Sequence, residues 1–243
     1  SRGTTYSYIG NVFSSDTTKV YMGLNEAGFA IMNSNSYNLG DSVSKGYTDG
    51  DLIRIALEKC RTLAELESLL VVTGIEGRRD CWNVGAIDAF GHAAMYEVAN
   101  RSFVKFDACD TSDGYLGYVV RATFSLTGGT NHDGESRFKR ATHLVNHRLQ
   151  DNLIDAEYIL QTLSRDLSNP LDNPYPMPYN GSQNGRPAGF ILARDITINR
   201  TITRSVAVMR GVLPNEDPSL ATIYGVIGPP VISVAYPMWV RSE

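Results

Sequence analysis

The chain has 243 residues, 42% hydrophobic and 20% charged, which suits one domain with a large core or two small ones. A net charge of −4 excludes the basic footprint of a nucleic-acid or anionic-membrane binder, no run approaches the length of a membrane span, and the N-terminus lacks a basic, apolar signal. Three scattered cysteines (Cys60, Cys81 and Cys109) are too few for a disulfide framework or a zinc site, so periplasmic, secreted and cytoplasmic locations all stay open.

Ser1–Phe13 carries Tyr6, Tyr8, Ile9, Val12 and Phe13 and reads as a strand, turned by Ser14-Ser15-Asp16. Tyr21–Leu24 and Phe29–Met32 are apolar runs of strand length around Asn25-Glu26-Ala27-Gly28, a turn in which Gly28 is free to take positive φ. After the polar loop Gly40–Lys45, the spacing predicts a helix over Asp51–Cys60 with Leu52, Ile55 and Ala56 on one face. Thr62-Leu63-Ala64-Glu65 is a capping-box pattern opening a second helix lined by Leu63, Leu66, Leu69 and Leu70. Two such helices would form one layer over a sheet, with Cys60 and Cys81 as small buried hydrophobes.

Strands are predicted at Trp82–Ile87, Ala93–Val98 and Ser102–Phe106, with Asp88 capping the turn Asp88-Ala89-Phe90-Gly91, and again at Gly114–Phe124. Gly128–Glu135 is a loop, followed by helices over Arg137–Leu149, striped by Phe138, Ala141, Val145 and Leu149, and over Ile154–Leu163. Proline-rich Asn169–Pro187 reads as an exposed loop or flap, with Pro174–Tyr179 as a substrate lid. Two long strands, Arg194–Val212 and Ala221–Val240, close the chain around the connection Leu213–Leu220, with a break or bulge at Gly228-Pro229-Pro230. Segregated strand and helix blocks predict an α+β fold with antiparallel sheets. No internal repeat or linker divides it, so residues 1–243 are read as a single domain.

Chemistry concentrates first at the end of the Phe29–Met32 strand, where the apolar run gives way to Asn33, Ser34, Asn35 and Ser36. Alternation puts Asn33 and Asn35 on one face and the two serines on the other. A side-chain amide at a strand end is a natural donor to a developing oxyanion, and Tyr37 at the same mouth is assigned to substrate binding. The Asn25-Glu26-x-Gly28 segment resembles that of N-terminal-nucleophile amide hydrolases, namely the choloylglycine (bile salt and penicillin V) hydrolases and the isopenicillin-N acyltransferase-like group. Further pieces follow in the family's order. Ile87-Asp88-Ala89-x-Gly91 resembles the strand–turn–strand of the acyltransferase-like group. Tyr118–Ser125 resembles the strand leading to an active-site asparagine, with Thr123 at the matching position as a departure: a hydroxyl reaches less far than an amide. Arg121 beside it is either a surface charge or an acyl-group anchor. Ser136-Arg137-Phe138-x-x-Ala141 resembles the segment whose arginine points into the active site, so Arg137 would favour a thiolate.

The resemblance implies a four-layer αββα sandwich of two antiparallel sheets flanked by helices. It also implies hydrolysis of a linear non-peptide amide through an acyl-enzyme on an N-terminal Cys whose own α-amine is the base. The site residues would be Asn35, Asn33, Arg137 and Thr123, with Arg121 and Tyr37 contacting substrate. No such Cys lies in the chain, so an N-terminal piece on the order of 30–45 residues is expected to be missing or separately cleaved. Ser1 as nucleophile is an alternative, as are an acyltransferase using the same acyl-enzyme and a degenerate binding module. The expected partner is a small-molecule amide, together with identical copies or the cleaved segment. No cofactor or metal is expected. His143 and His147 at i, i+4 lack an intervening Glu and a third ligand, His92 and His132 sit in turns, and Asp107, Asp110 and Asp113 do not meet the calcium-loop pattern.

Overall fold

The computed structural model describes residues 5–40, 43, 45–110, 117–151, 154–172 and 196–241. The chain divides into two compact units: Ser1–Asp133, Met209–Tyr224 and Pro237–Glu243 in the first, Gly134–Val208 and Gly225–Tyr236 in the second.

The first unit is built on six strands: β1 (Tyr8–Asn11), β2 (Met22–Asn25), β3 (Ala30–Asn35), β4 (Trp82–Ile87), β5 (Ala93–Val98) and β6 (Phe103–Asp107). They pair in sequence order, every neighbour antiparallel. Between β3 and β4 run α1 (Asp49–Lys59) and α2 (Leu63–Glu76), both opened by complete capping boxes, Thr48 with Asp51 and Thr62 with Glu65. The core lies between helices and sheet, with Leu52, Ile53, Leu57, Leu66 and Leu70 against Phe29, Ile31, Trp82, Val84 and Tyr96. The stripe of α1 is rotated from expectation: Ile53 and Leu57 are buried with Leu52 and Ala56, whereas Ile55 is only half-buried.

The Asn25–Gly28 turn is tied to the helical layer by long-range bonds. Asn25, 1% exposed, donates through Nδ2 to the carbonyls of Leu57 (2.9 Å) and Cys60 (2.7 Å) at the end of α1. Its Oδ1 accepts from the Ala27 and Phe29 N–H groups, both at 3.1 Å. One side chain thus satisfies carbonyls that a helix terminus leaves open and fixes the hairpin against it. Gly28 takes φ 77°, where a Cβ would stand 3.0 Å from that of Ala89. Arg78 acts in the same way on the other side of α2. Fully buried, it donates to the carbonyls of Leu70, Ala99 and Ser102 and to the Thr73 hydroxyl, and desolvation lowers its pKa to about 10.

The second unit contains α3 (Glu135–Asp151) and a short helix α4 (Ala156–Tyr158), capped by Asp155, that widens into a π-helical turn over Ile159–Leu163. Arg140 on α3 forms a two-bond ion pair with Asp166 (2.8 and 3.0 Å) and also holds Asp172. The closing strands are shorter than predicted: β7 (Ser205–Arg210), β8 (Thr222–Ile227) and β9 (Ala235–Met238) form a three-stranded sheet in that order. Before β7, the Thr197 hydroxyl donates to the Asn199 carbonyl and the Thr203 hydroxyl accepts from Arg200 N–H, so local turns replace a ladder. After β8, Pro230–Ile232 forms a 3₁₀ turn, and one expected strand becomes two. The fold is α+β with two antiparallel sheets and helices, as expected.

Residues 118–124, expected as a strand, are irregular. Most of Asn169–Pro187, including Pro174–Tyr179, lies outside the described residues.

Candidate active site

β3 alternates as predicted. Asn33 turns to the helical face, where its Nδ2 donates to Asp49 at the N-terminus of α1 (2.8 Å). Ser34 turns to the opposite face, its hydroxyl donating to the Ala122 carbonyl (3.1 Å). Asn35 ends the strand exposed, its Nδ2 at 3.4 Å from the Tyr37 hydroxyl, too long for a firm bond and so available to a better acceptor. Asn35 and Tyr37 open onto a cleft of about 450 Å³ shared with Tyr21, Asp49, Asp80 and Cys81. Partial burial, then the nearby carboxylates led by Asp49, raise the Tyr21 pKa, which keeps this phenol a hydrogen-bond donor at neutral pH.

Behind Tyr37 stands an irregular wall, residues 121–129, held by side chains rather than by a strand ladder. Ser34, Asn83 and Glu97 are cross-strand partners on β3, β4 and β5, making one polar row across the sheet. Asn83 donates to the carbonyls of Ala122 (3.0 Å) and Phe124 (2.8 Å) and accepts from the Ser125 hydroxyl (2.7 Å). Asn38 accepts from Ser125 N–H and donates to the carbonyls of Ser125 and Gly129. The Glu97 carboxylate, with no exposed side-chain surface, accepts from Arg121 Nε (2.8 Å), Leu126 N–H (2.8 Å), Thr127 N–H (2.9 Å) and the Thr127 hydroxyl (2.6 Å). Side chains thus take the Ala122 and Phe124 carbonyls that a strand at 118–124 would offer to a neighbour. Sequence reading did not single out this row. Its signal was an Asn and a Glu at mid-strand in otherwise apolar runs, where a buried polar group must have partners.

The wall decides where several expected site residues stand. Tyr37 N–H donates to the Thr123 carbonyl (3.2 Å), which brings Asn35, Tyr37 and Thr123 together. The Thr123 hydroxyl donates to Asp133. Arg121 is not a surface charge: its side chain is 2% exposed, paired with Glu97, and lies 4.2 Å over the Phe106 ring. Arg137 is half-buried in the first turn of α3, in the second unit. Asp88 caps its turn as expected, accepting from Phe90 and His92 N–H, and also from Leu63 N–H at the start of α2.

The three cysteines differ sharply. Burial pushes the Cys60 thiol up to about 12, leaving it protonated at neutral pH. Cys81 is buried and lines the cleft, its sulfur 3.5 Å from the Asn100 amide oxygen. Cys109 is exposed in a turn. Among the described residues no cluster of three or more His, Cys, Asp or Glu side chains is placed to hold a metal, and no helix is long and apolar enough to cross a membrane.

Residues 2–177 match the family of acyl-coenzyme A:6-aminopenicillanic acid acyl-transferase. No curated protein matches the chain in sequence. Among solved structures, the chain is similar to a variant of conjugated bile acid hydrolase from Clostridium perfringens (11% identity, 96% of this chain and 76% of that one, TM-score 0.47). It is also similar to penicillin V acylase from Agrobacterium tumefaciens (18% identity, 96% and 69%, TM-score 0.47).

Proposed function

Because the chain belongs to the acyl-coenzyme A:6-aminopenicillanic acid acyl-transferase family, within the N-terminal-nucleophile hydrolases, we propose that it cleaves the N-acyl bond of linear non-peptide amides through an acyl-enzyme. The nucleophile in this reading is an N-terminal Cys that the 243 residues do not contain: burial keeps Cys60 protonated, and Cys81 is buried with its sulfur on Asn100. Its thiolate attacks the carbonyl, and its own α-amine takes the proton and returns it to the leaving amine as the C–N bond breaks. Water then cleaves the thioester.

Asn35 Nδ2 is the donor to the oxyanion, with Asn33 holding Asp49 at the edge of the cleft. Tyr37 and the wall around Thr123 bound the acyl group, and Arg121 acts through the wall. Arg137 stabilises the sulfur anion. The observation that carries this reading is the loosely held Asn35 amide opening on the cleft beside Tyr37. The test is incubation of the full polypeptide with a panel of N-acyl amides, followed by intact-mass analysis and peptide mapping. A transient acyl adduct on an N-terminal Cys is expected, with none on Cys60, Cys81 or Cys109. An adduct on Cys81 would overturn the assignment of the nucleophile.

Acyl transfer is the second reading, favoured by the description of the family itself. In it an amine, rather than water, resolves the thioester. Adding amine at constant substrate separates the two: transfer yields new amide, while hydrolysis leaves the yield of free acid unchanged.

A further inference from the structure

The opposite end of the six-stranded sheet carries a second cleft, of about 420 Å³. The β2–β3 and β4–β5 turns meet the loop 213–218 there, with Tyr6 and Arg61 completing the lining. Ala30 to Asn35 along β3 puts about 17 Å of strand between this cleft and the one at Asn35. Its walls are set before any ligand arrives. Pro214 lies 3.3 Å from the place a Cβ would take on Gly91, and Pro218 3.3 Å from that on Gly28, both glycines at positive φ. The loop is closed on itself: Glu216 N–H donates to the Leu213 carbonyl (3.0 Å), and the Glu216 carboxylate accepts from Leu213 N–H (2.9 Å). Asn215 between them takes φ 78°.

The chemistry of the lining is mixed in a specific way. Phe90, 54% exposed, with Tyr6 and the two prolines, offers apolar surface to the cleft. One guanidinium and one carboxylate share that space. Among the described residues the ion-pair contact of Arg61 is a loose 3.9 Å approach to Glu65, and Glu216 gives one carboxylate oxygen to its own loop and leaves the other. A monoanion would be drawn to Arg61 and repelled by Glu216; a monocation meets the reverse. A molecule carrying both charges one carbon apart, with an apolar side chain, satisfies all three features.

We propose that this cleft binds a free α-amino acid with an aromatic or branched apolar side chain. Arg61 takes the carboxylate, Glu216 takes the ammonium, and Phe90, Tyr6, Pro214 and Pro218 enclose the side chain. The site is independent of the amidase chemistry and does not require it.

The test is calorimetric or NMR titration of the protein with L-phenylalanine, set against phenylacetate and phenethylamine, which keep the ring and one charge each. Saturable one-to-one binding is expected, with each single-charge analogue weaker by about tenfold or more. Arg61→Ala and Glu216→Gln, both at solvent-accessible positions, should each weaken L-phenylalanine by about tenfold. Asn35→Ala, at the far end of the sheet, should leave the affinity unchanged. Absence of saturation up to about 20 mM, an analogue that binds as well as the zwitterion, or loss of binding in Asn35→Ala would each overturn the proposal.

Discussion

Replacing Glu97 by Gln changes one atom and removes one charge, yet it should be among the most damaging single substitutions in the first unit. Each carboxylate oxygen accepts two bonds: Oε1 from Arg121 Nε and Leu126 N–H, Oε2 from Thr127 N–H and its hydroxyl. A glutamine amide keeps one acceptor: with its NH₂ at the Oε1 place both bonds there are lost, and with it at the Oε2 place the Thr127 N–H bond is lost while the Thr127 hydroxyl turns to accept. Arg121, with 2% of its side chain exposed, keeps its charge without the carboxylate. Breaking a buried pair from one side costs about 3–5 kcal/mol, a large share of the roughly 5–15 kcal/mol available to a domain.

The loss should fall first on the wall, because no strand ladder holds residues 121–129 in reserve. Hydrogen exchange should show the amides of Leu126 and Thr127 losing protection before those of β4 and β5, and urea unfolding should show a lower midpoint. The double substitution Glu97→Gln with Arg121→Met also removes the buried guanidinium that faced Glu97 and should recover part of the loss, a coupling of about 2 kcal/mol or more. Two results would refute the reasoning: Glu97→Gln costing under about 1 kcal/mol with the wall still protected, or a double variant no more stable than the single one.

Other perturbations separate structure from chemistry. Asn25→Ala removes four bonds at a buried site and should lower stability by roughly 3 kcal/mol or more, read by urea unfolding, with Asn25→Asp only partly restoring it because both Nδ2 donors are lost. Asn35→Ala should leave the melting temperature within a degree or two of wild type, about the effect of a surface change, while lowering kcat about 100-fold or more; unchanged kcat would remove Asn35 from the oxyanion role. Cys60 should resist a thiol reagent at pH 8 until the protein unfolds, whereas exposed Cys109 reacts at once. With its folded pKa raised to about 12, Cys60 contributes stability that is complete below the unfolded thiol pKa of about 8.5 and is lost as pH rises above it. Cys60→Ala should therefore flatten the fall in melting temperature between pH 8.5 and 11, and an identical fall in both proteins would show that the buried thiol is not titrating.

The local features of this protein were legible in its residues. The Thr62–Glu65 capping box, the strands Trp82–Ile87 and Ala93–Val98, the Gly28 turn and the opposite facing of Asn33 and Ser34 follow from short-range rules, periods of 3.6 and 2 and the φ freedom of glycine. Tertiary structure decided the rest, and in each case through a partner far away in sequence. Asn25 looked like a turn residue and also anchors the end of α1, more than thirty positions on. Tyr118–Phe124 had strand-forming residues, yet Ser34, Asn83 and Tyr37 N–H claimed the carbonyls of Ala122, Thr123 and Phe124 and made it part of an irregular wall. Arg121 went from an open choice to a buried ion pair because Glu97 on β5 meets it at 2.8 Å. Periodicity encodes which face a side chain takes; which polar group waits on that face depends on strand register, and register is settled only when the whole sheet assembles.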